Sequence, residues 1–416
     1  MVDSNGNNLV FLLCTPRSGS SLATVMLQNH GKMFATQEMW FLMSLRDLQA
    51  PQRRAYGGTG IISQFYNGVL PQAAFEDACR AFALEAYNGL LQSSEGAELV
   101  IDKSPRYYYM LEFLDALFPQ SKRIWLIRNP FAVLASNKKV GRQRGDAFDF
   151  AEALRQPAME MKTVDLTVGL FRYYDYFAKD HPYAHRLHYE RLVTDPRGQL
   201  AETCRFLGLE YEEGMERYGD RMHTAKSELY FSMGVGDPFV ADHQAPNRDS
   251  VDLWKEVLDK REIELYGRAL GARLFRELGY AEELAEAEKL TGARFGDEPD
   301  AELLALRTRQ LTEATGCVWT PGYALKAEPL AGGPAAARTG QPAAKEADAS
   351  RAETVRLQMR VRALEQRLQL GAMEQRRLKA QLDATSRKIN RLKSLIPFGN
   401  RLSSLASAYL GGGGKK

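Results

Sequence analysis

Six consecutive apolar residues, Leu9-Val-Phe-Leu-Leu-Cys14, run directly into Thr15-Pro-Arg-Ser-Gly-Ser-Ser21. A run this short, without polar alternation, predicts a strand buried on both faces. Beyond the loop, Leu22, Val25, Met26 and Asn29 recur at helical spacing. Strand, glycine-containing turn and helix together make an anion cradle. Gly19 lets the backbone approach a ligand closely, and the amides of Gly19 to Leu22 point outward from a helix start whose dipole favours negative charge. Ser18, Ser20 and Ser21 add hydroxyl donors, and Arg17 adds a permanent charge on a forked donor set. Taken alone, the segment would also suit a capped turn. The nucleoside triphosphatase pattern GxxxxGK[ST] is not met. No Lys follows Gly19, and no glycine stands five residues before it, so triphosphate hydrolysis is disfavoured.

Glu98–Ile101, Arg123–Ile127 and His185–Tyr189 are further strand candidates. Helical runs at Met110–Leu117 and Phe131–Lys138 flank the second of these, and Asp195–Leu207 opens with an Asp-Pro helix start. Strands alternating with helices predict an α/β fold with a parallel sheet. The stretches 40–95 and 141–180 read as mostly helical insertions of the kind that cover a site. After the second of these strands comes Arg128-Asn-Pro-Phe-Ala-Val-Leu-Ala-Ser136. A strand end and the helix behind it reach a second anion at the same sheet edge.

Two anion sites at two strand ends fit a ligand with two separated phosphates. At this point the sequence resembles the sulfotransferases that use 3′-phosphoadenosine-5′-phosphosulfate (PAPS). Pro16-Arg-Ser-Gly-Ser-Ser21 is similar to that family's 5′-phosphosulfate loop, and Arg128-Asn-Pro…Ser136 to its 3′-phosphate motif. Asp102-Lys-Ser-Pro-Arg106, Tyr189-Glu-Arg-Leu-Val193 and Phe206-Leu-Gly208 also match, in order, over roughly Leu9–Leu209. The resemblance implies a phosphate-loop α/β sulfotransferase fold. It implies PAPS as co-substrate and no metal. It places Arg17, Ser18, Gly19, Ser20, Ser21, Leu22, Arg128, Ser136 and Tyr189 on the nucleotide.

For the chemistry, the resemblance implies Arg17 and Lys103 for charge on the sulfuryl group. Arg17 stands where the phenol-type enzymes have Lys, as in the branch resembling tyrosylprotein and bacterial glycan enzymes. Those phenol-type relatives use a His after the 3′-phosphate serine; Asn137-Lys-Lys-Val-Gly-Arg142 contains none. Glu38 takes the place of the carboxylate base in the resembled branch, with His30 as the alternative; His223 and His243 read as structural. Arg248, ahead of Trp254, is the candidate basic residue near the nucleotide. The implied reaction is sulfuryl transfer to an acceptor hydroxyl on a glycan, a lipid-linked saccharide or another small molecule. A tyrosine, peptide or phenol acceptor is the alternative. A kinase-like phosphotransferase, or a nucleotide-binding scaffold acting through its tail, remains the reading from other classes. The aromatics Tyr107–Tyr109, Phe171, Tyr173, Tyr174 and Tyr176 suit either the core or an acceptor pocket.

Charge divides the chain. The net charge is +3 overall, but residues 351–416 carry +11, leaving −8 on residues 1–350. In Ala327–Ser350, fifteen of 24 residues are Ala, Gly or Pro, a composition that reads as a flexible linker. From Leu357 to Ile396, nine of twelve positions spaced alternately four and three apart are aliphatic, a coiled-coil pattern. The expected organisation is therefore a catalytic domain over 1–326, a linker over 327–350, a coiled coil over 351–396, and a short amphipathic helix and tail over 397–416. The coil is expected to self-associate, and its basic surface to touch an anionic membrane face. It lacks interleaved aromatics, so nucleic acid is not the expected partner. Four cysteines without a CxxC pair argue against a zinc site or a disulfide framework. With no run of roughly 20 apolar residues, a soluble cytoplasmic protein is expected.

Overall fold

The computed structural model describes residues 1–326 except 51–54, 56, 95, 145–147, 222–225, 228–229 and 231–244, together with six positions between Gln375 and Ser386. The linker and the tail lie outside the described residues, and so does the coil apart from those six positions. The chain groups into two units, Met1–Thr59 with Gln72–Ala335, and Gly60–Pro71 with Ala336–Lys416. In the second unit the described part of Gly60–Pro71 is a helical turn passing into the π-helical stretch Phe65–Val69.

The first unit is built on five parallel strands: β1 (Leu9–Leu13), β2 (Met33–Ala35), β3 (Leu99–Lys103), β4 (Lys122–Ile127) and β5 (Ala184–His188). Their order is β2-β3-β1-β4-β5. Every residue of β1, β2 and β3 is buried, as continuous apolar strands covered on both faces require. On one face Val10, Leu12, Ile101, Ile124 and Leu187 pack with Met26, Leu27, Leu200 and Cys204. These last come from helix α1 (Ser20–Gln28) and the helix Pro196–Leu207. On the other face Phe11 meets Tyr107 edge-on at 5.9 Å, and Trp125 stacks on Phe177 at 5.1 Å. The parallel α/β sheet expected from the sequence is present. β2 was not expected; at three residues it is too short to show a period.

Local chemistry sets the element ends. Asp195 accepts from the Gly198 amide at 3.1 Å, and Gly208, at φ 82°, closes the same helix. The strand order reverses beside β1, because the chain runs to β2 and β3 on one side and then crosses to β4 on the other. In open parallel sheets, ligand crevices form beyond the carboxyl ends of the strands at such a point. Register decides what reaches it. Leu13 pairs with Trp125, so Arg128 stands level with the loop after β1. Leu12 pairs with Lys103 and Ala35 with Ile101, which sets Lys103 and Glu38 on the same edge. All four cysteines are free thiols. No helix among the described residues is long and apolar enough to cross a membrane.

Candidate active site

The loop after β1 turns through two left-handed residues, Arg17 at φ 70° and Gly19 at φ 89°. Gly19 caps α1, and that helix start has no side-chain cap hydrogen bond. A side chain at Gly19 would collide with the Tyr189 ring, because a Cβ there would lie 2.3 Å from Cδ2. The glycine is therefore needed for both its φ and its lack of bulk. Ser18 is buried, with its Oγ 3.1 Å from Thr15 Oγ1. Ser20 and Ser21 are also buried, and Leu22 lines the cleft in front of the loop.

The two anion motifs meet although they are more than a hundred residues apart. Arg17 Nε donates to Ser136 Oγ at 3.2 Å. Arg128 donates through Nη1 to the Arg17 carbonyl and through Nη2 to the Ser250 carbonyl, both at 2.9 Å. Its guanidinium lies 4.2 Å from the centroid of the Tyr189 ring, a cation–π contact. Arg128 Nε is buried with no partner among the described residues, an orphaned donor beside the cleft. The cleft has a volume of about 220 Å³, and its walls include Arg17, Gly19, Arg128, Ser136 and Tyr189. Lys139, one helical turn beyond Ser136, also lines it. Arg248 does not; its side chain is exposed and donates to the Thr194 carbonyl at 3.2 Å. That wall is formed instead by Asn247, Asp249 and Ser250. Trp254 is buried and stacks on Phe131 at 5.1 Å.

Glu38 and Lys103 form the second group on this edge. Lys103, fully buried at the end of β3, donates Nζ to Glu38 Oε1 at 3.2 Å. Glu38 is partly exposed, and its Oε2 accepts from the Trp40 indole at 3.2 Å. Side chains alternate along a strand, so Asp102 points to the opposite face from Lys103. There it accepts from Tyr87 at 2.5 Å and Tyr107 at 2.8 Å. Burial raises its pKa to about 6, against the lowering effect of the two hydroxyls and Lys103. Arg106 makes a two-pronged bond to buried Asp165, at 2.9 and 2.8 Å. Burial pushes the Cys14 thiol up to about 12, which removes it as a nucleophile at neutral pH.

His30 lies beyond the far end of α1, about 14 Å of helix from the loop. Nε2 faces the Glu210 carbonyl at 2.9 Å, and Nδ1 accepts the Lys32 amide at 3.0 Å, so both nitrogens are engaged. His223 and His243 lie outside the described residues. Tyr107, Tyr108, Tyr173 and Tyr176 are core residues, and Tyr109 packs edge-on against Trp319. Sequence reasoning did not single out Trp40, Asp165 or Lys139. Lys139 had a signal in its helical spacing from Ser136; Asp165, in an aromatic-rich helical stretch, had none. Among the described residues there is no group of three or more His, Cys, Asp or Glu placed to hold a metal.

A glycine-turn cradle and two arginines converge on one cleft at the carboxyl edge of a parallel sheet, an arrangement chemically suited to an anionic ligand. Residues 10–213 match the family model described as Sulfotransferase family. That region belongs to the sulfotransferase family. It is 28% identical over 293 residues to the nodulation protein NoeE of Sinorhizobium fredii, covering 67% of each chain. It is 26% identical over 215 residues to a putative protein-tyrosine sulfotransferase of Caenorhabditis briggsae, covering 51% of this chain and 69% of the other. Among solved structures, the sulfotransferase domain of the Synechococcus PCC 7002 olefin synthase is 24% identical, with a TM-score of 0.42, over 62% of this chain and 92% of that one.

Proposed function

We propose that this sulfotransferase takes its sulfuryl group from PAPS and delivers it to an acceptor hydroxyl on a glycan, lipid-linked saccharide or similar small molecule. The observation that carries the donor assignment is the closure of the two anion motifs on one cleft, through Arg17 to Ser136 and Arg128 to the Arg17 carbonyl. The residues fit the nucleotide: an uncapped helix start, a glycine cradle, and a buried guanidinium with an orphaned Nε. When bound, the donor supplies an activated sulfuryl group. Gly19 to Leu22 hold the 5′-phosphate with backbone amides, and Arg128 with Ser136 holds the 3′-phosphate. Tyr189 keeps the cradle and the guanidinium in register.

Glu38 removes the acceptor proton as the hydroxyl oxygen attacks sulfur, and the bond from sulfur to the 5′-phosphate oxygen breaks, so that 3′,5′-adenosine bisphosphate leaves with that electron pair. Lys103 is the resting partner of Glu38, and a carboxylate paired with an ammonium is a poor base. Anionic sulfuryl oxygens compete for Lys103, which frees Glu38 when the donor is in place. Arg17 stabilises charge on the bridging oxygen and remains protonated throughout. Arg248, turned toward Thr194, needs to swing round to reach a nucleotide. The basic heptads of 351–396 serve self-association and contact with an anionic membrane face. Retention on immobilised 3′,5′-adenosine bisphosphate tests the donor assignment. Arg128→Ala should abolish retention, and unchanged retention would sink the nucleotide reading. Incubation with ³⁵S-labelled PAPS and separated glycan, lipid and peptide fractions identifies the acceptor; label in peptide tyrosine would favour the alternative.

A further inference from the structure

Both oxygens of the Glu38 carboxylate are held, and one of the two donors has no counterpart in the motifs read from the sequence. We infer that Trp40 is a positioning residue for proton abstraction, fixing the Glu38 carboxylate through its indole N–H; this rests on the reading of Glu38 as the base. The indole donates to Oε2 and Lys103 to Oε1, each at 3.2 Å, so together they set the plane of the carboxylate. The backbone pays a conformational penalty for this arrangement. Trp40 stands at φ 61°, ψ 0°, immediately before helix α2 (Phe41–Asp47). A bulky residue rarely occupies this left-handed region, and does so only where its surroundings over-determine it.

Those surroundings are specific. The Arg106 guanidinium lies 5.7 Å from the centroid of the Trp40 ring. Arg106 is itself fixed by its two-pronged bond to Asp165, which also accepts from Tyr108 at 2.6 Å. A partly buried network thus backs the indole, and the indole holds the carboxylate. The two donors differ in kind. Lys103 is a cation required at the sulfuryl oxygens. The indole N–H is neutral and can only donate. When Lys103 turns to the donor, Trp40 remains to hold Glu38 in place, without a second cation that would weaken it as a base.

Trp40→Phe keeps the ring and removes the N–H. Expected are a roughly tenfold fall in kcat, an unchanged KM for PAPS, and a rise of about one pH unit in the acid limb of the kcat profile, because the carboxylate loses a donor that favours its charged form. A packing role alone would leave that limb in place, and an unmoved limb overturns the inference. Trp40→His retains a ring N–H and serves where the Phe variant unfolds. A kcat within about threefold of the parent at pH 8, with the limb in place, supports the role; a tenfold loss there in a folded protein overturns it. Glu38→Gln separates the two layers. If it turns over near the parent rate, the base reading and this inference both fall. If it is inactive while Trp40→Phe leaves the limb unmoved, only the inference falls.

Discussion

Gly19→Ala tests the architecture of the cradle most directly, because its cost separates into two parts. The first is backbone strain. At φ 89° an alanine is disfavoured by about 1–2 kcal/mol wherever its side chain points. The second is steric. The added Cβ would lie 2.3 Å from Cδ2 and 2.5 Å from Cε2 of Tyr189, where 3.4 Å is the lower edge of ordinary contact. Overpacking of this kind costs about 1–3 kcal/mol. The sum is about 2–5 kcal/mol. Relief requires moving the ring that supports Arg128 at 4.2 Å, so affinity for 3′,5′-adenosine bisphosphate should fall together with stability. A double-mutant cycle resolves the parts. In a Tyr189→Ala background only the backbone part survives, so Gly19→Ala should cost about 1–2 kcal/mol by urea unfolding. The coupling between the two sites should therefore be about 1–3 kcal/mol. Additive costs would refute the claim that Tyr189 is what excludes a side chain from position 19.

Glu38→Gln should retain nucleotide binding and turn over at least about a hundredfold more slowly, measured by ³⁵S transfer in single turnover; near-normal turnover would move the base elsewhere. Asp102 is held protonated to higher pH in the folded chain, at about 6 against an ordinary 3.8. The folded state therefore keeps a proton that the unfolded state releases between about pH 4 and 6. Across that window the parent should lose stability relative to Asp102→Asn, by about 3 kcal/mol at most; parallel stability curves for the two proteins would contradict it. Truncation after Ser350 should lower the oligomer number by light scattering while leaving nucleotide retention intact. An equal mass per body in both chains would remove the coil as the association element.

The strand–loop–helix opening was legible because it is local. Apolar run, glycine turn and helical spacing lie within about twenty residues, and each has its own physical signature. The Arg128 and Ser136 motif was legible for the same reason. What joins them was not. The Arg17-to-Ser136 hydrogen bond depends on β4 lying beside β1, and strand order is not written in any one segment. The side chains behind Glu38 show the same limit. Trp40 is two residues from Glu38 but matters only because of a left-handed turn and because Arg106 arrives from after β3. Asp165 supports Arg106 from a helical stretch whose sequence reads as aromatic core. Arg248 illustrates the converse: proximity in sequence to Trp254 carried no information about which way its side chain faces.

The charge partition bears on how such a site can work. Residues 1–350 carry a net −8, yet the proposed ligand is itself highly anionic. The net charge of these residues therefore does not draw such a ligand in, and at physiological ionic strength exposed charges are screened beyond about 8 Å. The favourable terms have to be short-ranged and placed. The structure offers such terms: amides at an uncapped helix start, a buried guanidinium held on two carbonyls, and a fully buried lysine at a strand end. Each is held by bonds within the fold itself, so little ordering is left to oppose binding. The pairing of Lys103 with Glu38 carries this further. A buried ammonium without a counter-charge would be strongly unfavourable, and Glu38 supplies that charge. An arriving sulfuryl group can take over the same duty. On the proposed reading, the carboxylate that neutralises Lys103 is also the base of the transfer, so donor binding and base activation would be linked through one lysine.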